Sequence, residues 1–173
     1  ITDMVGRKVT VPTKVNKIVV LGNTPRMVTY LGLAGEVVGY SGMKADEVKP
    51  VTAYAYVTKD QWKDVPIVGT DAGGNTDYYP EQIIAVKPDV IFCSSPADMA
   101  DNIQKQTNIP VIAVVQGTLF GDDYDQALEL IGDICGVSDR AKEVVSYIHQ
   151  CLDDLAARTK DIQDADKPTV LSA

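Results

Sequence analysis

Short, wholly apolar runs rich in β-branched residues are the feature that most limits how this chain can fold. The first run is Ile18–Leu21, and Val90–Cys93 and Val111–Val115 have the same character. Such runs are typical of strands buried on both faces of a sheet. Segments with helical patterning lie between them, so the sequence predicts an α/β fold, a three-layer lobe with a mainly parallel sheet. Right-handed crossovers then bring the carboxyl ends of the strands to one edge.

Local signals place the other elements. Residues 2–12 predict a small N-terminal β-hairpin. Thr24 is predicted to cap a helix that has Pro25 as its first residue. Further strands are expected at 37–40 and 67–69, and further helices at 80–87, 97–107 and about 124–135.

One helix is predicted to be much longer than the others. Apolar residues recur at helical spacing from Ser138 to Ile162, and Ser138 is suited to cap this helix. Such a helix spans about 35 Å, more than a crossover in a domain of this size needs. Thr169–Leu171 then has the pattern of a strand. We therefore expect an α/β lobe at 1–137, a connecting helix at 138–162 and, at 163–173, the start of a second lobe that is otherwise absent.

Charge and missing motifs exclude several classes of function. With 24 acidic against 16 basic residues, the chain lacks the basic surface that nucleic acids and anionic lipids require. It has neither a glycine-rich phosphate loop nor a nucleophile elbow, so no catalytic residue is assigned. His149 is the single histidine, which excludes a multi-histidine metal site and leaves it as a partly exposed helix residue. Cys93, Cys135 and Cys151 are expected to be core residues that form at most one disulfide.

The loops after the predicted strands contain the candidate binding residues. Ligands of open parallel sheets bind outside the carboxyl ends of the strands, and here those loops are small, polar and flexible. Each loop also fits ordinary turn chemistry, so the prediction depends on the whole set. The ligand-binding candidates in these loops are Asn23, Thr24, Ser41, Met43, Thr70, Asp71, Ser94 and Gln116.

Three further candidates are aromatic or cationic. Residues 41–66 form a long connection with Tyr54 and Tyr56, which face the same side if the segment is extended. These rings either contact the ligand, by packing on a macrocycle or by ligating iron, or anchor the loop to the body. Arg26, one turn into the first helix, either pairs with an anionic ligand or is a solvated helix residue.

Several blocks of the sequence resemble one known family. They are Asp3–Pro12, Lys17–Leu21, Pro66–Gly69 and above all Pro80–Ile91, in which a helix, a Lys-Pro-Asp turn and a strand follow in order. Together they resemble the N-terminal lobe of bacterial substrate-binding proteins, periplasmic or lipid-anchored, that serve ABC importers of iron–siderophore complexes, haem and cobalamin. The resemblance extends over essentially the whole chain.

The resemblance implies a non-enzymatic, extracytoplasmic monomer without a cofactor or a metal ligand of its own. It implies two α/β lobes joined by the long helix, with the ligand held between them. Iron–siderophore complexes are the first expectation for that ligand, and haem or cobalamin come next. It also implies that an acidic residue of each lobe docks on the permease, and the matching residue here is Glu81.

Two functions of other classes stay open from the residues alone. A flavodoxin-like nucleotide-binding enzyme domain would share the alternation of strands and helices, although Gly22–Pro25 is a poor phosphate loop. A sensor lobe of a membrane receptor would have the same lobe architecture as a transport protein.

Overall fold

Strands and helices alternate along the chain. The structure is a computed structural model, and it describes residues 1–44, 46–72 and 75–169. The strands are β1 Ile18–Leu21, β2 Val37–Ser41, β3 Ile67–Ala72, β4 Asn75–Tyr78, β5 Val90–Cys93 and β6 Val111–Ala113. The helices are α1 Thr24–Tyr30, α2 Ala53–Thr58, α3 Pro80–Val86, α4 Ala97–Thr107, α5 Asp122–Cys135 and α6 Ser138–Thr159.

The strands form one sheet in the order β4-β3-β2-β1-β5-β6. Every neighbouring pair is parallel except β3 with β4, which is antiparallel. β1 lies between β2 and β5, and all four of its residues are buried. This confirms the prediction of an α/β lobe with a mainly parallel sheet.

Two hydrophobic cores cover the two faces of the sheet, because successive side chains of a strand point to opposite faces. Val20 of β1 belongs to a core shared with Met27 of α1 and Leu128 of α5. Val19, its neighbour in β1, belongs to a second core, which includes Ile83 of α3. The lobe therefore has three layers, with the sheet in the middle.

Several element boundaries differ from the sequence prediction. Asn23, not Thr24, occupies the cap position of α1, and Val137 precedes α6 in place of Ser138. β3 continues to Ala72 because its last residues pair with β4, a strand that the sequence analysis missed. α6 ends at Thr159. The predicted strand at 169–171 lies almost wholly outside the described residues.

A buried ion pair ties the N-terminal hairpin to the sheet. The hairpin itself is short, with an antiparallel bridge between Thr2 and Lys8. The Asp3 carboxylate is 2.9 Å from Arg7 Nη1 and also accepts a hydrogen bond from the Ala113 N–H at 3.1 Å. Asp3 is only 5% exposed, so these bonds compensate the burial of its charge and dock the hairpin on β6.

Only the first half of α6 packs on the lobe. Ala141, Val144 and Ile148 are buried in the core of α1 and α5. α5 approaches α6 closely at Gly132, where an added methyl group would lie 2.7 Å from the Ala141 Cβ. Every residue in the range 149–159 is exposed, so the second half of α6 extends past the core of the lobe. Within the described ranges, no helix combines the length and apolar character needed to cross a membrane.

A polar contact also joins α5 to α6. His149 Nε2 lies 2.6 Å from Asp125 Oδ2, and this hydrogen bond raises the pKa of His149. His149 therefore has the exposed helical position expected from the sequence, with a carboxylate partner that the sequence did not indicate.

The three cysteines are free and differ in exposure. Cys93 is buried in β5 and Cys135 is half-buried, but Cys151 is exposed on the second half of α6. The expectation of a core position is therefore wrong for Cys151. Burial raises the pKa of Cys93 to about 11 and that of Cys135 to about 12, which suppresses the reactive thiolate form.

These differences predict the order in which a thiol reagent modifies the folded protein. At pH 8 we expect Cys151 to react at least about tenfold faster than Cys93 or Cys135, because thiolate and access are both required. Mass spectrometry of the labelled peptides measures the three rates, and Cys151→Ser should remove the fast phase. Protection of Cys151 would show that the second half of α6 is covered, which contradicts this structure.

Candidate functional site

Two serine hydroxyls hold the loop after β1 at the carboxyl edge of the sheet. The Gly22 N–H donates to Ser41 Oγ at 2.7 Å, and the Asn23 N–H donates to Ser94 Oγ at 2.8 Å. Ser41 ends β2 and Ser94 follows β5, the two strands that flank β1. The hydroxyls therefore fix three loops relative to one another, and three of the predicted site residues lie together here.

Thr24 has a structural role in this arrangement. Its side chain is fully buried, and the hydroxyl lies 3.0 Å from the Leu21 carbonyl oxygen and 3.2 Å from that of Phe92. The hydroxyl therefore links the ends of β1 and β5. It has no exposed surface with which to make the ligand contact expected from its place in the loop.

A cavity of about 350 Å³ lies beside this loop. Its floor includes Tyr40 and Trp62, whose ring centroids are 5.0 Å apart, and Trp62 is 3% exposed. The Trp62 N–H donates to the Ala34 carbonyl at 2.9 Å, which fixes the indole. The cavity is lined by Tyr40, Ser41, Gly42, Met43, Glu47, Tyr54, Ala55, Trp62, Thr70 and Asp71.

The lining contains five of the predicted ligand-binding residues, and some members were not predicted. Ser41, Met43, Tyr54, Thr70 and Asp71 are the predicted ones. The sequence analysis placed the last two in a loop, whereas they lie in β3 and pair with β4. Both residues are polar and exposed, so this part of β3 lacks the apolar alternation that reveals a strand in a sequence.

The two tyrosines of α2 have different surroundings, contrary to the expectation that they face one side. That expectation assumed an extended segment, but residues two apart on a helix point in nearly opposite directions. Tyr54 is half-buried and lines the cavity. Tyr56 is 40% exposed, and its ring lies 4.2 Å from Lys59 Nζ. Tyr56 is therefore outside the cavity.

Arg26 stacks on the ring that forms one wall of this cavity. Its guanidinium carbon lies 5.7 Å from the Tyr54 ring centroid, a cation–π contact between α1 and α2. The contact anchors the long connection to the body of the lobe. It also places a positive charge next to Tyr54, a residue that lines the cavity.

Burial keeps the cavity phenols protonated. It is the largest cause of the raised pKa of both Tyr40 and Tyr54. At Tyr54, Arg26 opposes the increase and Asp71 adds to it. Both phenols are therefore hydrogen-bond donors at neutral pH, and the Tyr40 hydroxyl donates to the Met43 carbonyl oxygen at 3.2 Å. The described part of the chain has no cluster of three or more His, Cys, Asp or Glu side chains suited to a metal ion.

The other predicted residues lie apart from the cavity. Gln116 is half-buried in the loop after β6, and Glu81 is exposed in the first turn of α3. A larger cavity of about 460 Å³ lies along α6, and none of the predicted ligand-binding residues lines it. Its lining residues are Tyr30, Phe120, Arg140, Glu143, Val144, Tyr147 and Ile148.

Comparison with known proteins assigns this lobe to a family. The family described as periplasmic binding protein matches residues 18–173, which is nearly the whole chain. This chain belongs to the periplasmic binding protein family. The α/β lobe and the position of its strand-end loops agree with that membership.

Two curated relatives match almost all of this chain. It is 26% identical over 175 residues to the uncharacterized ABC transporter substrate-binding lipoprotein YvrC of Bacillus subtilis (strain 168), over 98% of this chain and 50% of YvrC. It is 28% identical over 189 residues to the molybdate-binding protein MolA of Haemophilus influenzae, over 96% of this chain and 51% of MolA. The chain therefore spans about half the length of the curated relatives it matches.

Solved structures share the fold. MolA bound to molybdate superposes with a TM-score of 0.75 at 23% identity, over 96% of this chain and 55% of MolA. Staphylococcus aureus SirA complexed with staphyloferrin B superposes with a TM-score of 0.67 at 21% identity, over 95% of this chain and 52% of SirA. At these identities the likeness is one of fold.

The hydrogen bonds that Ser41 and Ser94 accept from the β1 loop predict unequal effects of two matched substitutions on stability. Ser41→Ala should lower the free energy of unfolding by about 1–3 kcal/mol, because the buried Gly22 N–H loses its acceptor. Ser94→Ala should cost about 1 kcal/mol or less, because Asn23 is partly exposed and water can replace the hydroxyl. Urea denaturation measures both values. Equal effects, or a larger effect at Ser94, would contradict the burial difference between the two hydrogen bonds.

Proposed function

We propose that this chain is the N-terminal lobe of an extracytoplasmic substrate-binding protein, periplasmic or lipid-anchored, that delivers an iron–siderophore or related metal chelate to an ABC importer. The observation that carries the proposal is the aromatic cavity in a chain of the periplasmic binding protein family. This cavity lies beside the sheet edge at which the Ser41 and Ser94 hydroxyls hold the loop after β1. Haem and cobalamin are alternatives in the same role. MolA, named for molybdate, adds a small oxyanion to these candidates.

The cavity has the chemistry of one wall of a larger site. Tyr40, Tyr54 and Trp62 supply ring surface, while Ser41 and Thr70 supply hydroxyls. Ligand sites usually enclose about 70–90% of the ligand surface, which a cavity on one lobe does not provide. The exposed second half of α6 supports a second lobe as the opposite wall.

We also propose that Glu81 contacts the permease of the importer. Its side chain is exposed in the first turn of α3, where a negative charge stabilises the helix through the helix dipole. An exposed carboxylate can pair with an arginine of a partner, and such rim pairs govern association rate and register. Both roles are compatible with the same side chain.

The single tryptophan provides a direct test of ligand binding. Because Trp62 lines the cavity, ferric siderophores, haemin and cobalamin should quench its fluorescence on binding. Affinity should be weaker than micromolar, because half of the contacts are missing. Tyr54→Ala should weaken binding about threefold to tenfold through loss of ring contact, and Tyr56→Ala is the matched control on the same helix.

Two outcomes of that titration would contradict the proposal. If none of these ligands quenches the Trp62 fluorescence, and calorimetry detects no binding of molybdate, the binding function is excluded. Submicromolar affinity of the 173-residue chain would show that one lobe is a complete site. N-acetyltryptophanamide, titrated in parallel, corrects for light absorbed by the ligands.

The permease contact predicts a kinetic effect. Glu81→Gln should slow association with the purified importer about threefold or more at low salt and should reduce its salt dependence. Glu129→Gln, an exposed carboxylate on α5, is the control and should change little. Surface plasmon resonance measures both rates. Equal rates for the two variants would remove Glu81 from the contact.

A further inference from the structure

We propose that Arg26, held on the ring of Tyr54, makes this cavity selective for ligands with a net negative charge, an inference that rests on the proposed function. The ligand class is an oxygen-rich anion, either a small oxyanion or a metal chelate with free carboxylate or catecholate charge. Uncharged and cationic chelates are disfavoured.

The first observation is that Arg26 differs from the other three arginines of the chain. Arg7, Arg140 and Arg158 each lie 2.6–2.9 Å from a carboxylate oxygen. Within the described ranges, Arg26 has neither an ion pair nor a side-chain hydrogen bond; it lies over the Tyr54 ring and also lowers the pKa of Tyr124. Carboxylates outnumber cations 24 to 16 in this chain, so an arginine without one is free to bind another anion.

The second observation is how Arg26 is held. A ring face restricts the guanidinium without using its N–H groups, because the attraction is to the π-system. The five N–H donors of the guanidinium stay available in a planar fork, which matches a carboxylate or another oxyanion. Tyr54 lines the cavity, and Arg26, which does not line it, lies next to it against this ring.

The acidic residues of the cavity do not cancel this charge. Glu47 and Asp71 are both exposed, where water and salt screen them, while Arg26 is half-buried. At the Tyr54 hydroxyl, Arg26 lowers the pKa by more than Asp71 raises it. At this hydroxyl, Arg26 therefore acts more strongly than the Asp71 carboxylate.

The neighbouring loop adds neutral donors. Ser94 Oγ accepts the Asn23 N–H, and its own hydroxyl proton has no recorded acceptor in the described part of the chain. The Asn23 side chain is partly exposed beside it. A hydroxyl and an amide complement an oxyanion that Arg26 binds, because both groups donate hydrogen bonds.

The inference separates the candidate ligands by charge. Molybdate, ferric complexes of carboxylate siderophores and haem with its propionates are anions. Ferrichrome, a ferric trihydroxamate complex, is uncharged. Arg26 should therefore favour the first group over the second.

The test is an NMR titration of the whole chain, observed at the Trp62 indole N–H. The probes are sodium molybdate, the gallium(III) complex of staphyloferrin B and gallium(III) ferrichrome, since gallium(III) keeps the charge of iron(III) without paramagnetic broadening. The variants are Arg26→Gln and Arg26→Lys. Arg158→Gln, an arginine on the second half of α6, is the matched control for loss of one charge.

We expect at least one anionic probe to bind at least about tenfold more tightly than ferrichrome. Arg26→Gln should weaken that anion about tenfold to a hundredfold, Arg26→Lys should weaken it less, and Arg158→Gln should leave it within about twofold. Ferrichrome affinity should not change in Arg26→Gln. The anion whose affinity falls in Arg26→Gln shows whether the cavity binds a small oxyanion or a metal chelate.

Failure of the inference and failure of the proposed function look different. Preferred binding of ferrichrome, or an anion that binds Arg26→Gln as tightly as the original chain, overturns the charge selectivity and leaves the binding function intact. If no probe of any charge perturbs Trp62 and calorimetry detects no heat of binding, the proposed function fails and the inference fails with it.

Discussion

The central position of β1 is the constraint on which the rest of this lobe depends. Because β1 lies between β2 and β5 in a parallel arrangement, the loops that follow these strands meet at one edge. The side-chain hydroxyls of Ser41 and Ser94 then accept hydrogen bonds from the two N–H groups of the β1 loop. Short polar turns, which are individually ordinary, thereby become a fixed surface beside an aromatic cavity.

The sequence revealed the parts of this arrangement that depend on local pattern. Ile18–Leu21 is apolar throughout because both faces of β1 are covered, so the run predicts a central strand. α2 lacks such a signal, since its six residues, Ala53–Thr58, are too few for apolar residues to recur at helical spacing. The expectation that Tyr54 and Tyr56 face the same side, which assumed an extended segment, was therefore wrong. The hydroxyl of Thr24 reaches Phe92 across 68 residues of sequence, and the Arg26–Tyr54 contact is also tertiary, so neither could be predicted from neighbouring residues.

Charge acts on two length scales in this lobe. A net charge of −8 disfavours the approach of anions at long range, but salt limits that effect to about 8 Å at physiological ionic strength. At contact distance, the proposed role of Arg26 requires that its guanidinium fork outweigh this long-range repulsion. The chain belongs to the periplasmic binding protein family, and one curated relative, MolA, is named for molybdate.

The most direct test of the central claim is to map where a ligand contacts the lobe. Broadening of backbone amide signals by the paramagnetic ferric complex of staphyloferrin B reports proximity residue by residue. The account predicts that broadening is strongest at Asn23, Met43 and Tyr54, and absent along the first half of α6. Broadening centred instead on Tyr30 and Tyr147, in the cavity along α6, would contradict the assignment of the sheet edge as the binding wall.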